Sequence, residues 1–211
     1  MRRVAESTVR RLSVYLRHLE EFEHQGLGTV SSGALASLGG TTSAQVRKDL
    51  SFFGSFGKRG LGYPVPELAE QLREILGLKR RYRVALVGAG KIGSALAQYR
   101  GFRQRGFDIV AIFDADASKV GHQWNGLTVL DVAALEEELV RHPIDMAVLV
   151  TPAEVAQAVT NRLIQLGVKA ILNFAPVQLA VPDDVVVKTV NLALELETLS
   201  YALAHRSAEA S

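Results

Sequence analysis

From residue 7 to residue 25 the apolar positions fall three or four apart. Val9, Leu12, Leu16, Leu19 and Phe22 make one face of a helix that Ser7 or Thr8 can cap and Gly26 can end. An extended Thr29–Val30 follows, then a short helix capped by Ser31 or Ser32 with Leu35 and Leu38 inward. Gly39–Gly40 turns the chain into a third helix, with Thr41 or Thr42 as cap and Val46, Leu50 and Phe53 on its apolar face. Residues 54–65, GSFGKRGLGYPV, place glycines at 54, 57, 60 and 62 around Lys58–Arg59, the pattern of a β-hairpin with a basic tip. Helical spacing returns over 66–77 with Leu68, Leu72 and Ile75, and 78–83 form a polar, basic link.

Beyond the link the pattern changes. RVALVG (83–88) is a continuous apolar run, as a strand buried on both faces of a parallel sheet requires. Further strands are predicted at 108–114, 127–130, 145–151, 169–175 and 185–190, with helices at 93–99, about 132–141 and 153–166. At the end Leu192, Leu196, Leu199 and Leu203 form an apolar seam, and Leu194 and Tyr201 add a second edge. Such a helix can cover its own sheet or dock on a second subunit. The surplus apolar edge favours a homodimer. The expected fold class is α/β, with a winged helix-turn-helix domain over 1–80, its helix-turn-helix at about 15–54 and its wing at about 54–65. A Rossmann-like doubly wound parallel sheet follows over 81–190, then a terminal dimerisation helix over 191–211.

Composition narrows what such a chain can do. Its 211 residues are 48% hydrophobic and 22% charged, with no cysteine, so disulfides, thiolate metal sites and thiol redox switches are excluded together. No apolar run approaches membrane-spanning length, the five histidines have no metal-binding spacing, and MRRVAESTVRR lacks an apolar signal core. No membrane partner and no metal are expected, and a cytoplasmic location is. The net charge of +2 is unevenly placed: residues 1–82 carry +5 and residues 83–211 carry −3. That asymmetry suits a first domain that meets a polyanion.

With Val46, Leu50 and Phe53 inward, the third helix turns Ala44, Gln45, Arg47, Lys48 and Ser51 outward. Small residues allow close approach to a major groove, Arg and Lys reach guanine edges or phosphate, and Gln can pair with adenine. The Lys58–Arg59 tip suits a narrow minor groove. In the second domain Gly88, Gly90 and Gly93 fit G-x-G-x-x-G between a strand and a helix, the turn that admits a pyrophosphate. Asp114 follows at the end of the next strand, where a carboxylate can accept both ribose hydroxyls. No arginine stands beside it to welcome a 2′-phosphate, so NADH and NAD⁺ are favoured over the phosphorylated cofactors. Thr151–Pro152 and Asn173–Phe174 lie at carboxyl ends of strands and are expected to line the nicotinamide or ribose side.

With SAQVRKDLSFFGSFGKRGLGY, VGAGKIGSALAQY, FDAD, KVG, ILNFAP and VNLALELETLSYAL in view, the whole chain resembles the Rex family of redox-sensing transcriptional repressors. The resemblance implies a homodimer that binds an inverted-repeat double-stranded DNA operator, senses the balance of NADH and NAD⁺, and exchanges its terminal helix between subunits. It implies DNA contacts from Arg47, Lys48, Lys58 and Arg59, and Ser43, Gln45, Ser51 and Gly60 are expected to contact DNA with them. It implies cofactor contacts from Gly88, Ala89, Gly90, Lys91, Ile92, Gly93 and Asp114, and Lys119 is expected beside them. Arg17 and Tyr99 match positions tied to the switch, with Asn191, Leu192, Leu196, Leu199 and Leu203 at the interface. Asn191 stands where some members have aspartate, and a neutral amide cannot form the charged contact with Arg17 that an aspartate could. An NAD-dependent oxidoreductase with an appended nucleic-acid-binding domain is the competing class. Against it, the chain has no Tyr-x-x-x-Lys and no histidine at a strand end beside the glycine turn. A CoA-binding module of the same sheet type would leave Asp114 and the winged helix unexplained.

Overall fold

The computed structural model describes residues 4–57 and 61–209, so Lys58, Arg59 and Gly60, predicted to contact DNA, lie outside the described residues. The chain divides after Arg80 into two compact units.

The first unit comprises α1 (Glu6–His24), β1 (Thr29–Val30), α2 (Ser32–Leu38), α3 (Ser43–Ser51), β2 (Tyr63–Pro64) and α4 (Val65–Ile75). Ser31 caps α2 by accepting from the Ala34 N–H, and Thr42 caps α3 by accepting from the Gln45 N–H. Gly40, at φ +60°, takes the left-handed turn between them. Leu12, Leu16, Leu19, Leu35, Val46, Leu50, Leu68 and Leu72 meet in one core with Tyr15, which the periodicity had not placed there.

The helix start differs from expectation. Ala5, not Ser7 or Thr8, occupies the N-cap of α1, and Thr8 is buried one turn in. Val9 and Leu38 are exposed rather than inward. Within 54–65 the hairpin is also revised: Tyr63–Pro64 pairs antiparallel with Thr29–Val30 across the unit. Gly54–Gly57 carries no strand among the described residues. Gly57 nevertheless lies against the far arm, since a Cβ there would sit 2.4 Å from the Gly62 carbonyl oxygen.

The second unit begins with β3 (Tyr82–Val87), α5 (Lys91–Ala97), α6 (Arg100–Gln104) and β4 (Phe107–Asp114). It continues with β5 (Gln123–Trp124), β6 (Leu127–Asp131), a 3₁₀ turn at Val132–Ala134 and α7 (Leu135–Arg141). Then come β7 (Met146–Leu149), α8 (Ala153–Gln165), β8 (Ala170–Asn173), β9 (Val186–Thr189) and α9 (Leu192–Glu209). Among the described residues the sheet order is β5-β6-β4-β3-β7-β8-β9, parallel except for the β5–β6 pair. The chain works outward from β3 through β4 to β6, then crosses back to β7, so the order reverses between β3 and β7. Alternate residues of β3 face opposite cores: Ala85 and Val87 toward α7 and α8, Val84 and Leu86 toward the other face. Burial on both sides explains the unbroken apolar run.

The helix predicted at 93–99 runs from Lys91 to Ala97 and breaks, with α6 following at once. The predicted helix at 132 opens as a 3₁₀ turn, with Asp131 accepting from the Ala133 N–H. The β5–β6 hairpin was not anticipated.

Candidate functional site

Two sets of residues are candidates, one in each unit. The first is α3. Arg47 and Lys48 are exposed, and Arg47 Nη1 donates to Ser32 Oγ at 3.0 Å, which steers the guanidinium toward the start of α2. Ser51 is exposed, its hydroxyl donating to the Lys48 carbonyl, and Ser43 is half-buried at the first residue of the helix. Gln45 is not free to the degree expected: it is half-buried, and its Nε2 donates to Asp49 Oδ1 at 2.8 Å.

Asp49 was not anticipated at all, and it is fully buried. Arg11 grips it from α1 with Nε on one oxygen at 2.6 Å and Nη2 on the other at 2.7 Å. The Tyr15 hydroxyl donates to it at 3.0 Å and the Thr8 hydroxyl at 3.4 Å. Burial pushes the Asp49 carboxyl up, but hydrogen bonds from Arg11, Gln45 and Tyr15 outweigh it and hold the group below the ordinary carboxylate range. Burial, then the bond to Asp49, pushes the Tyr15 phenol up to about 12. The network clamps α3 to α1 and fixes the angle at which the outer face of α3 is presented. The signal was in the sequence: Asp49 is three residues past Val46 and adjoins Leu50, on the inward side of the helix. A carboxylate there demands a cation.

The second set gathers where the sheet order reverses, at the carboxyl ends of β3 and β7, the place where doubly wound sheets bind ligands. Gly88 has φ +110°, and a Cβ on it would lie 2.3 Å from the Val150 carbonyl oxygen. A Cβ on Gly93 would lie 2.0 Å from the Gly88 carbonyl oxygen. Gly90, between them, has nothing within 4 Å of its Cβ position. Two glycines thus let backbone pack on backbone, and the middle one leaves the turn's surface bare. Ala89 is buried, while Lys91 and Ile92 at the start of α5 are exposed. The first N–H groups of that helix have no intrahelical acceptor.

Asp114 faces the turn, one oxygen accepting the Ala89 N–H at 2.5 Å and the other the Asp116 N–H at 2.8 Å. Lys119 Nζ lies 3.3 Å from both Asp114 and Asp116. So a cation does stand beside Asp114, five residues along, but two carboxylates already neutralise it. Thr151 closes the far wall, and its Oγ1 is the one buried side-chain polar atom without a hydrogen-bond partner among the described residues. A hydroxyl in that position fits a polar ligand. Pro152 occupies the N-cap of α8.

Asn173 departs from expectation. It is fully buried, its Nδ2 donating to the Ala175 and Val177 carbonyls and its Oδ1 accepting the Ala175 N–H. Its side chain holds the loop after β8 rather than lining an opening, and Phe174 packs half-buried against the core on the Leu86 side of the sheet. Tyr99 also lies elsewhere. It is 60% exposed and packs edge-on to Phe102. It lines a cleft of about 1050 Å³ with Arg81, Arg100, Arg103, Phe107 and Asn125, which does not include the glycine turn. Arg17 is exposed on α1. Asn191 accepts the Ala193 and Leu194 N–H groups and so caps α9, a task an amide performs as well as an aspartate. Leu192, Leu196, Leu199 and Leu203 are all exposed, between 60% and 69%.

Comparison with known proteins places these features together. Residues 3–51 match a family model described as a putative DNA-binding protein N-terminus, and residues 79–177 match one described as a CoA binding domain. The Redox-sensing transcriptional repressor Rex of Carboxydothermus hydrogenoformans is 49% identical, covering 94% of this chain and 96% of its own. That of Syntrophomonas wolfei is 46% identical, covering 96% of each. A crystal structure of RSP in complex with β-NAD⁺ and operator DNA superposes with a TM-score of 0.92 at 39% identity, over 98% of this chain and 95% of that one. RSP with β-NADH superposes at 0.87 with 38% identity, over 97% and 96%. The CoA-binding match covers only the sheet, whereas the Rex relatives span both units, and they are regulators rather than enzymes. This chain belongs to the Rex family of redox-sensing transcriptional repressors.

Proposed function

We propose that the chain acts as a cytoplasmic homodimer that binds an inverted-repeat operator and releases it on binding NADH. The observation that carries this reading is Gly90, bare between two glycines whose Cβ positions are blocked, 24 residues before Asp114 and beside the orphaned Thr151 hydroxyl. This is a cradle for a pyrophosphate with an adjoining carboxylate for ribose hydroxyls. RSP, similar over nearly the whole chain, was crystallised with β-NAD⁺ and operator DNA and with β-NADH. The residues present fit such a cofactor: Gly88 to Gly93 receive the phosphates, Asp114 the ribose and Thr151 a polar edge, while Lys119 stands by Asp114. On the DNA side Arg47, Lys48, Ser43, Ser51 and Gln45 form the reading face, and Lys58, Arg59 and Gly60 are further DNA contacts. The exposed leucines of α9 supply the dimer contact, and Arg17, Tyr99 and Asn191 belong to the switch.

If NADH weakens operator binding a hundredfold, the coupling is about 2.7 kcal/mol, and by reciprocity operator must weaken NADH binding by the same total. NADH is titrated by fluorescence with and without operator. A large loss of NADH affinity on adding operator, with little for NAD⁺, is expected. Identical NADH affinity in both conditions rules the switch out.

A further inference from the structure

Gln45 is the third residue of α3, in the first turn, the part of a recognition helix that meets base edges. Its Nε2 donates to Asp49, and Asp49 is fully buried. A carboxylate offers only lone pairs, so the end of the amide turned toward it must be the nitrogen. The carboxylate cannot swing away, because Arg11 holds both oxygens and Tyr15 one of them. Turning the amide over would set its carbonyl against a buried negative charge. Oε1 makes no hydrogen bond among the described residues and is not sealed from solvent, so the oxygen is the atom left to the groove.

We propose that Gln45 reads one base in each half-site purely as an acceptor, selecting adenine or cytosine on the strand it faces and rejecting guanine and thymine. Asp49 is the positioning residue. The proposal rests on α3 being the recognition helix. In the major groove adenine presents its N6 amine and cytosine its N4 amine, whereas guanine and thymine present O6 and O4. An amide oxygen bonds the first two and is repelled by the second two. The usual bidentate Gln–adenine pair needs the nitrogen at the base edge as well. Here that nitrogen is drawn 2.8 Å from Asp49, on the protein side, so cytosine is accepted beside adenine.

The test is selection from duplex DNA with a randomised core, followed by competition binding, using the full-length protein and its Gln45→Ala, Gln45→Met and Asp49→Asn variants. Wild type should hold adenine or cytosine at one position per half-site. Both Gln45 variants should lose about tenfold discrimination there and nowhere else. Gln45→Met keeps the long stem and removes one donor to Asp49 while Arg11, Tyr15 and Thr8 still hold it, so lost discrimination with an unchanged unfolding midpoint is not misfolding. Asp49→Asn, whose amide can face Gln45 with either end, should admit guanine at that same position. A motif unchanged in both Gln45 variants, or a Gln45-dependent position held by guanine or thymine, overturns the proposal while leaving α3 as the reading helix. Failure of the wild type to enrich any sequence overturns the recognition-helix reading itself, and this proposal with it.

Discussion

In α3 the groups proposed to meet a partner are side chains, and in the turn at residues 88–93 they are backbone. The two regions are built in opposite ways. Behind α3 stands a buried carboxylate with donors from α1 and from α3 itself. Behind the turn stand the carbonyls of Val150 and Gly88, so close that Gly88 and Gly93 can carry no side chain. Side-chain presentation needs something to fix rotamers, because a long polar side chain otherwise samples many. Backbone presentation needs only that nothing protrude. One region is made specific by adding charge to a core, the other by omitting atoms.

That contrast breaks most sharply at Arg11. Arg11→Ala leaves Asp49 buried without its bidentate partner and should cost roughly 3–5 kcal/mol in urea unfolding. The pH dependence should also reverse. In wild type the folded carboxyl lies below its ordinary 3.8, so its contribution is present above that value and is lost as pH falls through the lower folded one. Without the Arg11 bond and charge, burial, the largest single cause, should push the folded carboxyl up, and acidification should relieve part of the damage. A variant that loses stability in acid just as wild type does would show that Asp49 is held by something else.

The backbone side is sharpened by two substitutions two residues apart. Gly88→Ala places a methyl against the Val150 carbonyl at φ +110°. Strain and overpacking there are each worth about 1–3 kcal/mol. Gly90→Ala meets nothing within 4 Å and should leave the unfolding midpoint within about 0.5 kcal/mol, while weakening NADH binding measured by fluorescence. Equal destabilisation by the two would mean that the middle glycine also serves packing.

A loss smaller than those at Arg11 and Gly88 separates local from tertiary support of α3. Thr42→Ala removes the acceptor for the Gln45 N–H and should cost about 1 kcal/mol in thermal unfolding, well short of Arg11→Ala. A comparable loss would give the cap the role assigned here to the Asp49 network.

Legibility followed the range of the interactions. The caps at Ser31 and Thr42, the apolar faces of α3 and α4 and the runs of β3, β4 and β7 are local patterns, and the sequence carries them. The glycine spacing was readable because the demand for missing Cβ atoms at Gly88 and Gly93 is written residue by residue. What escaped depends on partners far along the chain. Thr8 looked like a cap because its hydroxyl is local, yet it serves Asp49, 41 residues away. Asn173 looked like a site residue at a strand end, yet the loop after β8 takes its amide donors and an N–H there bonds its oxygen. The β5–β6 hairpin was readable and passed over: Asn125–Gly126, with Asn125 at φ +50°, is a strong two-residue turn signal.

The surroundings of Asp114 bear on how the ribose proposed for it would be captured. Two backbone N–H groups, from Ala89 and Asp116, aim the carboxylate, and they belong to the fold. The third donor, Lys119, is one-third exposed, and its hold is of the kind worth about 0–1 kcal/mol. In the proposed role, a sugar hydroxyl arriving there would meet an acceptor whose rotamer was chosen when the domain folded, and would exchange places with a weakly held ammonium. Orientation, the part of recognition that ordinarily costs entropy at the moment of binding, is preorganised here. The lysine keeps the charge company in the meantime and gives way readily.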